Sequence, residues 1–260
     1  ARFRNYELLE IQPGPGLNIL VGENGQGKSN LLEAIYMLAT TKSFRASRDV
    51  EVIQTGNQEA VAFAEVEYDE LPSRDLEITI SHSDRKSARV NGARTSRVID
   101  LIGSLNAVFF GALDLRLVNG EPSSRRRFMD LAIAQTSPAY CIALAAYKRS
   151  VDHRNGVLRE MRERPDLEAS LDVWTDQIVH YGAPVIIHRT AFATELATLA
   201  AEAHAELSGG RETLSVRYAP SVPCTTSDQG KVAEVFADEV QRVRESEIKR
   251  GSSLVGPHRD

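Results

Sequence analysis

The residues best suited to chemistry form one short stretch, Gly22-Glu23-Asn24-Gly25-Gln26-Gly27-Lys28-Ser29, with the spacing G-x-x-x-x-G-K-S. Its glycines let the backbone turn tightly and bring successive N–H groups around a phosphate chain. Lys28 is placed to reach β and γ phosphates, and the Ser29 hydroxyl is a suitable ligand for Mg²⁺. The whole stretch, Gly22 to Ser29, is expected to bind a nucleoside triphosphate, with Ser29 on the metal.

Such a loop must join a strand to a helix N-terminus, whose dipole favours negative charge. The apolar run Leu17-Asn18-Ile19-Leu20-Val21 predicts a buried strand before it. After it, Leu31, Leu32, Ile35 and Leu38 recur at helical spacing from Ser29 onward.

Hydrolysis needs more than a phosphate loop. A carboxylate has to hold the metal through water, and in many families a second acid orients the attacking water. The local candidates are weak: Asp114 follows an apolar run without a second acid, and Asp69-Glu70 close an alternating, half-exposed stretch. Either the acids lie elsewhere or the site is composite.

With 260 residues, 42% hydrophobic and 26% charged, the chain is expected to be globular and soluble, with one large core or two lobes. No apolar run approaches the roughly 18 residues of a membrane span, and ARFRNYELLE does not read as a signal peptide, so no membrane association and a cytoplasmic location are expected. Cys141 and Cys224 are too few for a disulfide scaffold or zinc cluster. The net charge of −5 disfavours a uniformly nucleic-acid-coated surface, yet residues 121–164 hold nine Lys or Arg against five Asp or Glu. Within them Arg125, Arg126, Arg127, Lys148, Arg149 and Arg154 are candidate DNA phosphate contacts, if the two helices that carry them pack side by side; pairing with Asp130, Asp152 or Glu160 is the alternative.

The chain changes character near residue 118. Before it, "VAFAEVEY", "LEITI" and "ARVNGARTS" alternate as strands, and Asn91-Gly92 signals a hairpin. After it helices dominate: one capped by Ser123 or Ser124, one from Pro138, one from Pro184 with a seam along Phe192, Leu196, Leu199, Ala203 and Leu207, and a last one through "GKVAEVFADEVQRVRESEIKRG". "TLSVRYA" reads as a strand between the last two, and Trp174 and Phe192 read as packing residues.

Six stretches fall in an order that resembles the RecF family of bacterial DNA replication and repair ATPases: "FRNY" at Phe3 to Tyr6, "GENGQGKSNLLEAIY", "KSFR" at Lys42 to Arg45, "LRLVNGEPSSRRRFMDL" from Leu115, "YKRSVDHRNGVLR" from Tyr147 and "GPHRD" at Gly256 to Asp260. The loop with its Asn-Leu-Leu-Glu-Ala-Ile continuation is shared with the wider SMC group. The resemblance implies an α/β fold: an ABC-type P-loop ATPase head over residues 1–117, an inserted helical arm lobe over 118–250, and a return to the head at 251–260. It also implies ATP and Mg²⁺ at Gly22 to Ser29, nucleotide-proximal Arg4 and Asn5, a head-domain role for Arg45, and His258 and Arg259 facing DNA or a second subunit.

Function follows as an expectation: an ATP-dependent homodimer that grips gapped or junction DNA and works with RecR and RecO to load recombinase. The family continues beyond the position of Asp260 to a signature sequence and paired acids, so weak DNA-dependent ATPase activity is expected of a full-length protein and none of residues 1–260 alone. Ala112 stands where the family usually has proline. The readings from other classes are a P-loop small-molecule kinase using Arg125 to Arg127 as a lid, and a non-catalytic nucleotide-gated scaffold.

Overall fold

The computed structural model describes residues 1–161, 164–224 and 226–260; Arg162 of the basic segment lies outside them. The chain divides into two units, residues 1–113 with 134–138, and residues 114–133 with 139–260.

The first unit is an antiparallel meander with one long helix on it. Strands β1 (Glu59–Val66), β2 (Arg74–Ser81), β3 (Ser87–Val90) and β4 (Ala93–Arg94) pair in chain order. Alternation puts Ala60 and Ala62 of β1, Leu76, Ile78 and Ile80 of β2, and Ala88 of β3 on one buried face. Phe63, on the opposite face of β1, is exposed. Asn91 and Gly92 connect β3 to β4 at φ 51° and 76°, the left-handed pair that a two-residue hairpin turn requires. Helix α1 (Lys28–Thr40) covers the buried face with Met37 and Leu38.

One expectation fails here. Leu17 to Val21 form no strand, and Leu17, Ile19 and Val21 are 87, 72 and 89% exposed. A strand needs a neighbour for its backbone groups, and no described strand pairs with this run; local bonds between Asn18 and Gly14 organise its start instead. The helix after the loop forms as expected; of its apolar stripe Leu38 is buried, Leu31 and Ile35 are half-buried and Leu32 is exposed, while Glu33, Met37, Ala39 and Thr40 are buried as well. A carboxylate therefore occupies the inward face.

The second unit is helical: the short α2 (Arg116–Asn119), α3 (Pro122–Thr136, its last residues in the first unit), α4 (Pro138–Glu160), α5 (Glu168–Ser208) and α6 (Gln229–Arg250). Pro122, not a serine cap, opens α3, since its missing N–H costs nothing in a first turn. Pro184 lies inside α5 rather than at its start. The helix runs through it because Gly182, Ala183, Val185 and Ile186 are all buried around it, so packing outweighs the missing backbone bond. Gly182 lets α6 approach closely: a Cβ there would sit 2.5 Å from the Phe236 ring. The core joins Tyr147 and Val151 of α4, Ile178 and Ile186 of α5, and Val232, Phe236 and Val240 of α6. The packed part of α5 is thus its first half; Leu199 and Leu207 of the expected seam are exposed. Residues 213–219 form no strand, and Tyr218 there hydrogen-bonds the Asp260 carboxylate.

Two buried arginines tie these helices together. Arg154 of α4 donates to Glu247 of α6 at 2.7 Å, to Ser253 at 2.8 Å and to Thr175 of α5 at 3.0 Å, with both ionic side chains fully buried. This corrects the reading of Arg154 as a DNA contact: its guanidinium is spent inside the fold. Arg189 of α5 donates to Asp130 of α3 at 2.8 Å and to the Pro257 carbonyl at 2.6 Å, and pairs with Asp260 at 3.3 Å. Residues 251–260, expected to return to the head, are bound within this unit through those bonds. His258 points inward: the Ser253 carbonyl accepts from Nε2 at 3.3 Å, which leaves Nδ1 to accept from the Tyr147 hydroxyl at 2.7 Å. Arg259 folds back on the Ser253 carbonyl.

Burial, reinforced by the charge of Arg259, pushes His258 down to about 4. The unfolded chain takes up this proton near pH 6.5, so the neutral imidazole contributes stability that is complete above that pH and lost as pH falls towards 4. That loss is about 3 kcal/mol. Urea unfolding between pH 7 and 4.5 should show this component in the native sequence and lose it in His258→Asn; identical pH slopes would contradict it. Arg154→Ala should cost about 3–5 kcal/mol by leaving Glu247 buried and unpaired, and a loss below about 1 kcal/mol, the scale of an exposed pair, would show that the pair does not hold the helices.

Candidate nucleotide-binding site

The Gly22–Ser29 loop leads into α1, and its glycines are used where the backbone requires them. Gly25 and Gly27 adopt φ 85° and 102°, a region that side chains rarely allow. Gly27 has a second reason to lack a side chain. A Cβ there would meet the Tyr6 ring at 2.6 Å and Asn5 Oδ1 at 2.7 Å, so the "FRNY" turn packs directly on the loop. Gly27 is the N-cap of α1, and no side chain caps the helix. The Asn30 N–H turns back to the Gly27 carbonyl at 2.7 Å, so it is the N–H groups of Lys28 and Ser29 that are offered to whatever the loop encloses.

Lys28 arches over the loop. Its ammonium donates to the Gly22 carbonyl at 2.5 Å and the Glu23 carbonyl at 2.7 Å. Two of its three donors pin it in place. Glu23, Asn24, Gln26 and Ser29 are exposed, so the concave side of the loop is open to solvent.

Beside the loop, Phe3 and Tyr6 exchange backbone hydrogen bonds of 3.0 and 2.9 Å and close a tight turn over Arg4 and Asn5. Arg4 sits at φ 55°, strained for a residue with a side chain. What holds it is Glu33. Arg4 donates to both Glu33 oxygens at 2.9 and 2.7 Å, Arg45 donates twice to Oε2 at 3.0 and 2.7 Å, and the Ser43 hydroxyl donates to Oε1 at 2.6 Å. Burial alone would raise the Glu33 carboxyl; the bonds from Arg4, Arg45 and Ser43 outweigh it and keep the group below its ordinary value. Asn30, in the first turn of α1, links the two arms by donating to Asn5 Oδ1 at 2.5 Å and accepting from Arg45. Phe44 stacks on Phe109 at 3.9 Å with Tyr36 edge-on to both, which fixes the backbone around Arg45.

The structure thus brings Arg4, Asn5 and Arg45 together with the loop. Glu33, Asn30, Ser43 and Tyr6 were missed by sequence reasoning. The available signal was an acid at position 33 inside an otherwise apolar helix. Asp69 and Glu70 lie exposed in the β1–β2 connection, and among the described residues no cluster of His, Cys, Asp or Glu suits a metal ion. Any Mg²⁺ here would take Ser29 as its protein ligand and complete its shell with phosphate and water.

The basic residues divide. Arg125 donates to the carbonyls of Leu117 and Gly120, and Arg126 to that of Asp260, so neither is a free lid. Lys148 pairs with Asp130 at 3.2 Å yet is 60% exposed. Arg127 and Arg149 lie on the surface.

A family model described as the RecF/RecN/SMC N terminal domain matches residues 1–217. The DNA replication and repair protein RecF of Synechocystis sp. is 40% identical over 99% of this chain and 69% of its own length. That of Geobacillus kaustophilus is 41% identical over 100% of this chain and 70% of its own. A solved structure of the recombination mediator protein RecF-ATP in the RecFOR pathway superposes with a TM-score of 0.93 at 26% identity, covering 100% of this chain and 69% of that one. The fold is that of an α/β ABC-type ATPase head with helical elements, and the chain belongs to the RecF family of DNA replication and repair proteins.

Proposed function

We propose that this chain binds ATP at Gly22–Ser29 and uses the bound nucleotide to control a grip on DNA during recombinational repair. The observation that carries the reading is the loop itself: left-handed glycines, an uncapped helix N-terminus and a lysine pinned over the concavity. Its relative with ATP in a solved structure and its relatives in DNA replication and repair support the same reading. Backbone dipoles and Lys28 would neutralise the β and γ phosphates, Ser29 would hold Mg²⁺, and Arg4 and Asn5 would border the nucleotide through the turn on Gly27. Mg²⁺ would shield phosphate charge when bound.

DNA would meet the exposed cations of the helical unit, Arg127, Lys148 and Arg149, with Arg125 and Arg126 in a supporting position. Contacts of this kind neutralise phosphates and carry no sequence information. ATP-dependent pairing of two copies and cooperation with RecR and RecO on gapped or junction DNA complete the proposal. No described helix is long and apolar enough to cross a membrane, and the proposed place of work is the cytoplasm.

Lys28→Ala should abolish ATP binding in calorimetry, because the loop then meets the phosphate charge with backbone dipoles alone; unchanged affinity would remove the loop from the mechanism. Lys148→Glu with Arg149→Glu should weaken DNA binding for all sequences and flatten the salt slope by about one unit for each DNA phosphate that is no longer neutralised, while sparing ATP affinity. A variant that melts early with an unchanged salt slope would instead assign Lys148 to its pair with Asp130.

A further inference from the structure

Glu33 does not line the loop, yet Arg4 and Arg45, which flank the residues that brace the loop from one side, are both tied to it. Its two oxygens accept five hydrogen bonds from Arg4, Arg45 and Ser43, and its side chain has no exposure to solvent. Arg4 fixes the Phe3–Tyr6 turn, which it occupies in a strained backbone conformation. That turn places Asn5 and Tyr6 on Gly27, and Asn30 closes the ring back to Arg45. One carboxylate serving two guanidiniums also leaves one unit of positive charge over, beside the first turn of α1.

We infer that Glu33 is a positioning residue for triphosphate binding: it clamps Arg4 and Arg45 so that the Phe3–Tyr6 turn braces Gly27 and holds the loop in its phosphate-accepting shape. The inference rests on the reading of Gly22–Ser29 as the triphosphate site. It carries a sign that separates it from simple electrostatics. A buried negative charge near an anion site opposes anion binding, so neutralising it should strengthen binding if charge is all that matters. A positioning role demands the reverse. Glu33→Gln keeps the volume but replaces one acceptor with an amide donor, which faces a guanidinium that can only donate.

The test is calorimetric titration of Mg²⁺-ATP into the native protein, Glu33→Gln and Lys28→Ala, with thermal melting of each. Glu33→Gln is expected to weaken binding about tenfold or more, the scale of one charge-assisted hydrogen bond removed from a shared set. Tighter or unchanged binding by folded Glu33→Gln, with Lys28→Ala inactive, would overturn the positioning role and leave the loop assignment standing. Unchanged binding by Lys28→Ala would overturn the loop assignment itself. Should Glu33→Gln not fold, Arg4→Lys keeps the cation while giving up the two-pronged grip; it is expected to weaken binding about fivefold, within the range of such a bond, and native affinity there would also overturn the inference.

Discussion

A carboxylate cut off from water, Glu33, holds two guanidiniums, and the first unit is arranged around that constraint. An ionised carboxylate buried without partners would cost several kcal/mol, and Arg4 and Arg45 supply those partners where α1 packs on the sheet. Those arginines lie 29 and 12 residues away along the chain, at opposite ends of the phosphate-loop region. Satisfying one side chain therefore draws the N-terminal turn, the first helix and the "KSFR" segment into one place. The strain at Arg4 is tolerated because its bidentate ion pair and its Glu51 carbonyl contact over-determine the conformation.

The helical unit obeys the same rule at two further points. Arg154 with Glu247, and Arg189 with Asp130 and Asp260, place ionic groups where aliphatic side chains would pack more cheaply. Each arginine uses its planar, preorganised fork to reach different elements at once. Arg154 joins α4, α5, α6 and Ser253, and Arg189 joins α3, α5 and the Pro257–Asp260 segment. Such contacts add fixed points to helices already matched by the close approach of Gly182 to Phe236.

The legible features were those whose chemistry is local. The G-x-x-x-x-G-K-S spacing, the Asn91-Gly92 turn and the alternation in β1 and β2 each state their geometry within ten residues. Burial of charge was not legible, because it depends on partners far along the chain. Arg154 reads as a surface cation among other cations until Glu247, 93 residues on, is placed against it. Glu33 interrupts an apolar stretch of α1, but its sequence neighbours do not name the two arginines that hold it. Pro184 misled for a related reason: its local meaning is a helix start, and only the apolar neighbours from three helices carry α5 through it. The apolar run Leu17–Val21 shows the opposite limit, since its composition asks for burial that no described neighbour supplies. The attachment of the loop, more than the loop itself, is what the fold adds.

The most direct test of the loop's role is amide chemical-shift mapping during a titration with Mg²⁺-ATP. The backbone N–H groups of Gly25, Gly27, Lys28 and Ser29 are the proposed phosphate donors, so their resonances should move saturably together with those of Asn5 and Asn30. The amides around Arg154 and Arg189, buried in the helical unit, should stay in place at the same nucleotide concentration. Saturable shifts confined to other residues, with the loop amides unmoved, would contradict the claim that this loop holds the triphosphate.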